Sequence, residues 1–205
     1  MTIKLSDGGK RFNREWIFRN AQLEFTSGNA YAITGPNGSG KSTLLQAIGG
    51  MLQLSEGSLQ FQDAAQNFLE APYKALSFCA PYLDVIEEMT LLEFLQFHQQ
   101  FKRFIANLTI TDIIEHLGLK AAAHKQIRYY SSGMKQRVKL AQAIFSDTPV
   151  LLLDEPCTNL DVAGIALYHS LIETYCKDRL VVVCSNDEVE YRFCNARISI
   201  LQFKP

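Results

Sequence analysis

Gly35-Pro36-Asn37-Gly38-Ser39-Gly40-Lys41-Ser42-Thr43 follows the apolar run Tyr31-Ala32-Ile33-Thr34 and leads into Leu44, Leu45 and Ile48 at helical spacing. The stretch fits G-x-x-x-x-G-K-[ST] in the setting that motif requires, a strand before it and a helix, predicted over Lys41 to Met51, after it. The chemistry follows from that geometry. Glycines let backbone N–H groups curl around phosphate oxygens, and the helix N-terminus adds partial positive charge. Lys41 can neutralise the β and γ phosphates, the Ser42 hydroxyl can ligate Mg²⁺, and Thr43 is placed for an α-phosphate contact. A glycine turn that merely capped a helix would need neither Lys nor Ser after its last glycine. The stretch therefore predicts a nucleoside triphosphate site in an α/β fold.

Downstream, Val150-Leu151-Leu152-Leu153-Asp154-Glu155 is an apolar strand ending in two acids, and ligands bind beyond strand ends in parallel α/β sheets. Asp154 would hold Mg²⁺, while Glu155 could polarise an attacking water, because phosphoryl transfer asks the protein for positioning and charge stabilisation. Taken alone, the segment also reads as a strand running into a solvated acidic turn; the phosphate loop is what favours the metal reading. A helix over Ala163 to Cys176, a strand over Leu180 to Ser185, a short helix and a strand over Ile198 to Leu201 continue an alternation that predicts a parallel sheet.

Upstream, residues 1 to 34 read as short strands: Ile3 and Leu5 alternate, then Trp16 to Phe18, Ala21 to Phe25 and Tyr31 to Thr34. Between Thr90 and Phe145 the pattern is helical, with Phe94, Phe97, Phe101 and Phe104 at steps of three, four and three. A helical block is thus inserted into an α/β core within one domain of 205 residues. Hydrophobic residues at 47 % and charged residues at 20 % argue against disorder and coiled coil. A net charge of −1 supplies no global field toward nucleic acid or an anionic membrane. The longest apolar runs fall far short of the roughly 20 residues that cross a bilayer, and the charged N-terminus predicts no export signal. Five cysteines without a C-x-x-C pair are expected as reduced, mostly buried thiols.

Tyr130-Ser131-Ser132-Gly133-Met134-Lys135-Gln136-Arg137 completes the pattern. It resembles the signature sequence of the ATP-binding-cassette (ABC) family, L-S-G-G-Q followed by a basic helix, and lies just upstream of the Asp154-Glu155 strand. Ser131 and Gly133 open a helix whose N-terminus can receive an anion. The resemblance spans essentially the whole chain and implies a P-loop NTPase core with a parallel sheet, a small antiparallel β subdomain to which residues 1 to 34 belong, and an inserted helical subdomain. As one cassette, the core would cover residues 1–85 and 146–205 and the helical subdomain about 86–145. It further implies that Ser131 and Gly133 face the γ-phosphate of ATP held by an opposite protomer, and that Asn159-Leu160-Asp161 is the D-loop at the dimer interface. Phe12, 29 residues before Lys41, falls where an aromatic stacks on adenine, with Trp16 as the other candidate; either is equally readable as a half-buried strand residue.

The resemblance implies an Mg²⁺-dependent ATPase subunit that closes head to tail with a second such subunit, as a homodimer, and drives a separate membrane permease. Its place would be cytoplasmic, peripheral on the inner face of the membrane. Three positions depart from the family pattern. Leu76-Ser77-Phe78-Cys79-Ala80-Pro81-Tyr82 has Pro81 or Ala80 where a Gln approaches the metal and water, and Asn186 stands where a His contacts the γ-phosphate. Asn donates a hydrogen bond but carries no proton at neutral pH. The signature has Tyr130, Ser132 and Met134 for Leu, Gly and Gln. With Glu155 and the phosphate loop intact, hydrolysis is expected to survive, slowed by roughly one to two orders of magnitude, about 1.4–3 kcal/mol of barrier.

Weaker features take bland readings. Glu87 and Glu88 are expected as an acidic turn at a helix start. The phenylalanine stripe is expected to pack inward, with a groove for a cytoplasmic helix of the membrane subunit as the alternative. Arg128, Lys135, Arg137 and Lys139 are expected as a solvated helix face. The four histidines do not cluster at metal-ligand spacing, and Lys10, Arg11 and Arg14 do not make a nucleic-acid module. Two functions compete with the transporter reading: a nucleotide-gated clamp with little turnover, supported by the altered Gln and His positions, and a GTPase, opposed by the missing N-K-x-D segment. Within the transporter class, the short length and Leu160-Asp161-Val162-Ala163-Gly164 suggest a haem-exporter-type subunit, which the missing His and Gln oppose.

Overall fold

The computed structural model describes residues 1–205 and divides into two compact units. The first comprises residues 1–76, 149–154 and 178–205, and the second residues 77–148 and 155–177.

In the first unit, β1 (Thr2–Phe12), β2 (Glu15–Thr26) and β4 (Glu56–Gln62) form an antiparallel sheet in the order β2-β1-β4. The separate strands expected over Trp16–Phe18 and Ala21–Phe25 are one strand, because bulges between the Leu5, Gly8, Lys10 and Arg11 pairings absorb the irregular pattern. Strand β4 was not legible in the sequence; only Leu59 and Phe61 alternate inward among polar residues. The run β3 (Ala30–Thr34) leaves the antiparallel set and pairs in parallel with β7 (Leu180–Cys184) and β8 (Ala196–Ser199), while β6 (Val150–Asp154) pairs in parallel with β7. Every residue of β6 and β7 is buried, which explains their unbroken apolar runs. The strand expected over Ile198 to Leu201 spans Ala196–Ser199 instead, and residues 200–203 form a short 3₁₀ turn. Helix α1 (Lys41–Ile48) packs on β6 and β7, burying Leu44, Leu45 and Ile48, and ends at Ile48 before Gly49-Gly50, three residues short of the expected Met51. A short helix α6 (Glu188–Tyr191) follows β7, capped by Asp187.

The second unit takes in β5 (Leu76–Cys79), whose first residue belongs to the other unit, and helices α2 (Leu91–Gln99), α3 (Ile110–His116), α4 (Ser132–Ile144) and α5 (Val162–Tyr175). Thr90 with Glu93, and Thr109 with Asp112, close reciprocal capping boxes at the starts of α2 and α3. The phenylalanine stripe splits: Phe94 and Phe104 are buried, whereas Phe97 and Phe101 are exposed with their rings edge-on at 5.0 Å. The helix ends at Gln99, so the 3.6-residue period that would align Phe101 and Phe104 with Phe94 stops before them. Four cysteines are buried and Cys194 is half-buried, and none is joined in a disulfide. No helix is long and apolar enough to cross a membrane.

A buried histidine ties α2 to the end of α4. The Ser146 hydroxyl donates to the Gln142 carbonyl at 2.6 Å and accepts from His98 Nε2 at 2.9 Å, which places a proton on Nε2. Burial, and secondarily the nearby Lys102 charge, pull the His98 pKa down to about 4. The unfolded chain binds this proton near pH 6.5 and the folded chain only near 4, so the contribution is complete above pH 6.5 and is lost as pH falls toward 4. Melting curves from pH 7 to 4 are expected to show a loss for the parent that exceeds that of His98→Gln by a few °C. Parallel curves for the two proteins would refute the assignment.

Candidate functional site

The register of the parallel sheet assembles one edge of the first unit. Ile33 lies opposite Cys184, and Cys184 opposite Asp154, so the chain leaves all three strands at the same end. The residues that emerge there are Thr34-Gly35 after β3, Ser185-Asn186 after β7 and Glu155 after β6. One bond draws this edge to the start of α1, the Cys184 thiol donating to the Lys41 carbonyl at 3.4 Å, and a second, from Ser185 N–H to the Ile33 carbonyl at 3.2 Å, ties the end of β7 to that of β3.

The loop from Gly35 to Gly40 arches over that edge. Gly40 stands just before α1 with φ of 96° and offers the helix no side-chain cap, so the N–H groups of Lys41, Ser42 and Thr43 face outward for an anion. A Cβ at Gly40 would collide with Ile17 Cγ2, which a bulge between the Lys10–Phe18 and Arg11–Trp16 pairs presses against the loop. Pro36, Asn37 and Gly38 are exposed. Ser39 is 94 % buried, and its hydroxyl has no hydrogen-bond partner. Lys41 is buried to 6 % exposure, and its Nζ donates to the carbonyls of Gly35 at 2.9 Å and Pro36 at 3.2 Å. Ser42 and Thr43 are half-buried. Asp154, 1 % exposed, closes β6. A hydroxyl on Ser42 and a carboxylate on Asp154 are hard oxygen donors of the kind Mg²⁺ takes, so the residues fit that ion.

Asn186 is exposed in the turn after β7, while Ser185 beneath it is fully buried and accepts from Asp187 N–H at 2.9 Å. Of the two aromatics, Phe12 is 47 % exposed with Lys10 Nζ 5.0 Å from its ring. Trp16 is half-buried and engaged by two guanidiniums, Arg19 at 4.5 Å and Arg11 at 5.5 Å.

Glu155 opens the second unit with φ of +42°, in the left-handed region, although the following Pro156 favours an extended residue. Such a conformation costs about 1–3 kcal/mol and is found where a site requires it. Thr158 holds it locally: its N–H and hydroxyl both donate to the Glu155 carbonyl, at 3.2 and 2.9 Å.

In the same unit, the Ser131 hydroxyl caps α4 by accepting from Met134 N–H at 3.3 Å. Gly133 packs on the 159–161 turn so closely that a Cβ would come 2.9 Å from the Asn159 carbonyl. Ser131, Gly133, Arg137, Asn159 and Asp161 line one cavity of about 520 Å³. Tyr130 is buried at the start of the segment, where its hydroxyl donates to the Ala122 carbonyl at 2.7 Å.

Of the basic residues around α4, Arg128 is exposed as expected, but Lys135, Arg137 and Lys139 are half-buried and all four have partners. Lys135 pairs with Glu87 at 2.5 Å, Arg128 with Glu88 at 3.6 Å and Arg137 with Asp161 at 3.4 Å, and Lys139 donates to the Pro81 carbonyl at 2.8 Å. Their partners lie up to 58 residues away, which local patterning does not reveal. Glu87 and Glu88 therefore anchor the 81–88 loop, and the start of α2 is capped by Thr90 and Glu93 instead.

The family model described as ABC transporter matches residues 18–158. An uncharacterized ABC transporter ATP-binding protein of Bacillus subtilis, YhcH, is 30 % identical over 208 aligned residues, covering 98 % of this chain and 67 % of that protein. The cytochrome c biogenesis ATP-binding export protein CcmA of Rhizobium etli is 32 % identical over 168 residues, 80 % of this chain and 78 % of its own length. The dimeric bacterial ABC transporter cassette MJ0796 shares the fold with a TM-score of 0.79 at 24 % identity, over 97 % of this chain and 94 % of that one. The chain belongs to the ABC transporter family, as one of its ATP-binding proteins.

Proposed function

We propose that the chain is an Mg²⁺-dependent ATPase subunit that powers a separate membrane permease. The observation that carries this reading is the edge where the phosphate loop, Asp154 and Asn186 leave adjoining elements of one sheet, with Glu155 next in the chain after Asp154. Backbone N–H groups from Gly35 to Thr43 and the Lys41 ammonium bind the triphosphate. Phe12 stacks on adenine. Ser42 and Asp154 hold Mg²⁺, which supplies charge neutralisation at the β and γ phosphates. Glu155 orients and deprotonates the attacking water, and Asn186 donates to the γ-phosphate.

In this reading the chain is a single cassette, with core 1–85 and 146–205 and helical subdomain about 86–145. Ser131 and Gly133 at the start of α4 receive the γ-phosphate held by a second copy in a head-to-tail homodimer at the cytoplasmic face of a membrane. Support comes from the MJ0796 cassette, which has a dimeric post-hydrolysis structure bound to ADP and Pi. The 32 % identity to CcmA supports a haem-exporter-type subunit as a subfamily reading.

A composite site makes turnover per chain rise with protein concentration, so steady-state phosphate release with Mg²⁺-ATP should climb until dimers dominate. Turnover independent of concentration would refute the composite site. The clamp reading draws on Ala80, Pro81 and Asn186, and it requires ATP-dependent dimers without phosphate release.

A further inference from the structure

The acid assigned to water activation is held by a side chain from another element. Two consecutive carbonyls set the course of the chain at Glu155: its own, bonded within the loop by Thr158, and that of Pro156. The Pro156 carbonyl accepts from Gln136 Nε2 at 2.7 Å. Gln136 is 98 % buried and lies on α4, three residues after Gly133 and five after Ser131. It is the contact on the Glu155-Pro156 pair that originates on α4 rather than within the turn, and it acts where the backbone is in a conformation that relaxes once unsupported.

We propose that Gln136 is a positioning residue that holds Glu155 in its left-handed conformation through the Pro156 carbonyl. The N-terminus of α4, which carries Ser131 and Gly133, is thereby coupled to the acid of its own chain by one hydrogen bond. Gly133 against Asn159 and Arg137 against Asp161 fasten the same turn further along, so α4 and residues 156–161 shift as a unit. This inference rests on the reading of Glu155 as the water-activating acid.

Gln136→Met keeps the volume of the side chain and removes the donor. Turnover of the full-length chain should fall about 10- to 100-fold, with the KM for ATP and the affinity of an ATP analogue within twofold of the parent. Hydrogen exchange of the Thr158 and Leu160 amides, which bond to Glu155 and Cys157 carbonyls, should quicken at least tenfold, while amides of β6 and β7 keep their protection. Gln136→Asn, which retains an amide one methylene short, should give an intermediate loss; this variant decides if Gln136→Met does not fold. Unchanged turnover with unchanged exchange at Thr158 and Leu160 would overturn the inference. If the parent itself shows no turnover, the ATPase reading fails instead, and if Glu155→Gln matches the parent, the assignment of water activation to Glu155 fails; in either case the exchange measurement still decides whether Gln136 holds the turn.

Discussion

Glu155→Gln is expected to lower steady-state ATP turnover by at least about 10²-fold while ATP affinity stays within about threefold. A positioned general base contributes roughly 10²–10⁴ in rate, or about 2.7–5.4 kcal/mol of barrier. The amide keeps the shape of the side chain and its reach to water but cannot take up the proton. The binding groups lie elsewhere: the loop N–H groups and Lys41 belong to α1 and its approach, and Asp154 remains as a carboxylate. Gln also carries a Cβ at φ of +42°, so the strained backbone is no better relieved than before. Blocked turnover with intact binding should trap a nucleotide-bound pair of chains, visible by size-exclusion chromatography with ATP and Mg²⁺. The measurement is phosphate release under saturating ATP. A variant within threefold of the parent would show that water is activated by some group other than Glu155.

The contrast between Glu155 and Gln136 marks what the sequence could and could not reveal. The phosphate loop is contiguous, and each residue there is dictated by local geometry: glycine beside Ile17, and Lys and Ser in the first helical turn. Strands β6 and β7 are legible because complete burial leaves only apolar residues. Gln136 has no such mark. Its partner is a backbone carbonyl twenty residues away, and any residue supplies a carbonyl. The same blindness hid the partners of Lys135 and Lys139, and it made one stripe of four phenylalanines out of two buried and two exposed rings. A periodic pattern carries meaning only as far as its helix runs. Strand β4 escaped because it offers two inward apolar residues among polar ones, too few to separate from a loop.

Those basic side chains also revise what the altered loop is for. With Ala80 fully buried, residues 80–88 are fastened to α4 at Pro81 and Glu87 by Lys139 and Lys135, which stand four residues apart on the helix. Neither Ala80 nor Pro81 has a side chain that can orient water, and the loop is linked to the helix that carries Ser131 and Gly133. A half-exposed pair such as Lys135–Glu87 is still screened by solvent and contributes about 1 kcal/mol, so this link serves geometry more than stability.

Lys41→Met is expected to weaken ATP binding by about 10²-fold or more, with little change in the melting temperature of the free chain. The two effects separate because the ammonium has different partners in each state. In the free chain, Nζ bonds the carbonyls of Gly35 and Pro36, contacts of 2.9 and 3.2 Å whose net worth is about 1–3 kcal/mol together. Pro36 is exposed, so its carbonyl can turn to water once the lysine is gone, and the Met side chain still fills the buried stem position. With nucleotide, the ammonium would exchange neutral carbonyls for anionic phosphate oxygens, so that both partners of each bond carry a full charge and a Coulombic attraction adds to the hydrogen bond. A loss of about 2.7 kcal/mol or more corresponds to the stated hundredfold. Isothermal titration with a slowly hydrolysed ATP analogue reads the affinity, and a melting curve without nucleotide reads the fold. Unchanged affinity would remove Lys41 from the phosphate site. A large fall in melting temperature at unchanged affinity would mean that its bonds to Gly35 and Pro36 are its whole contribution.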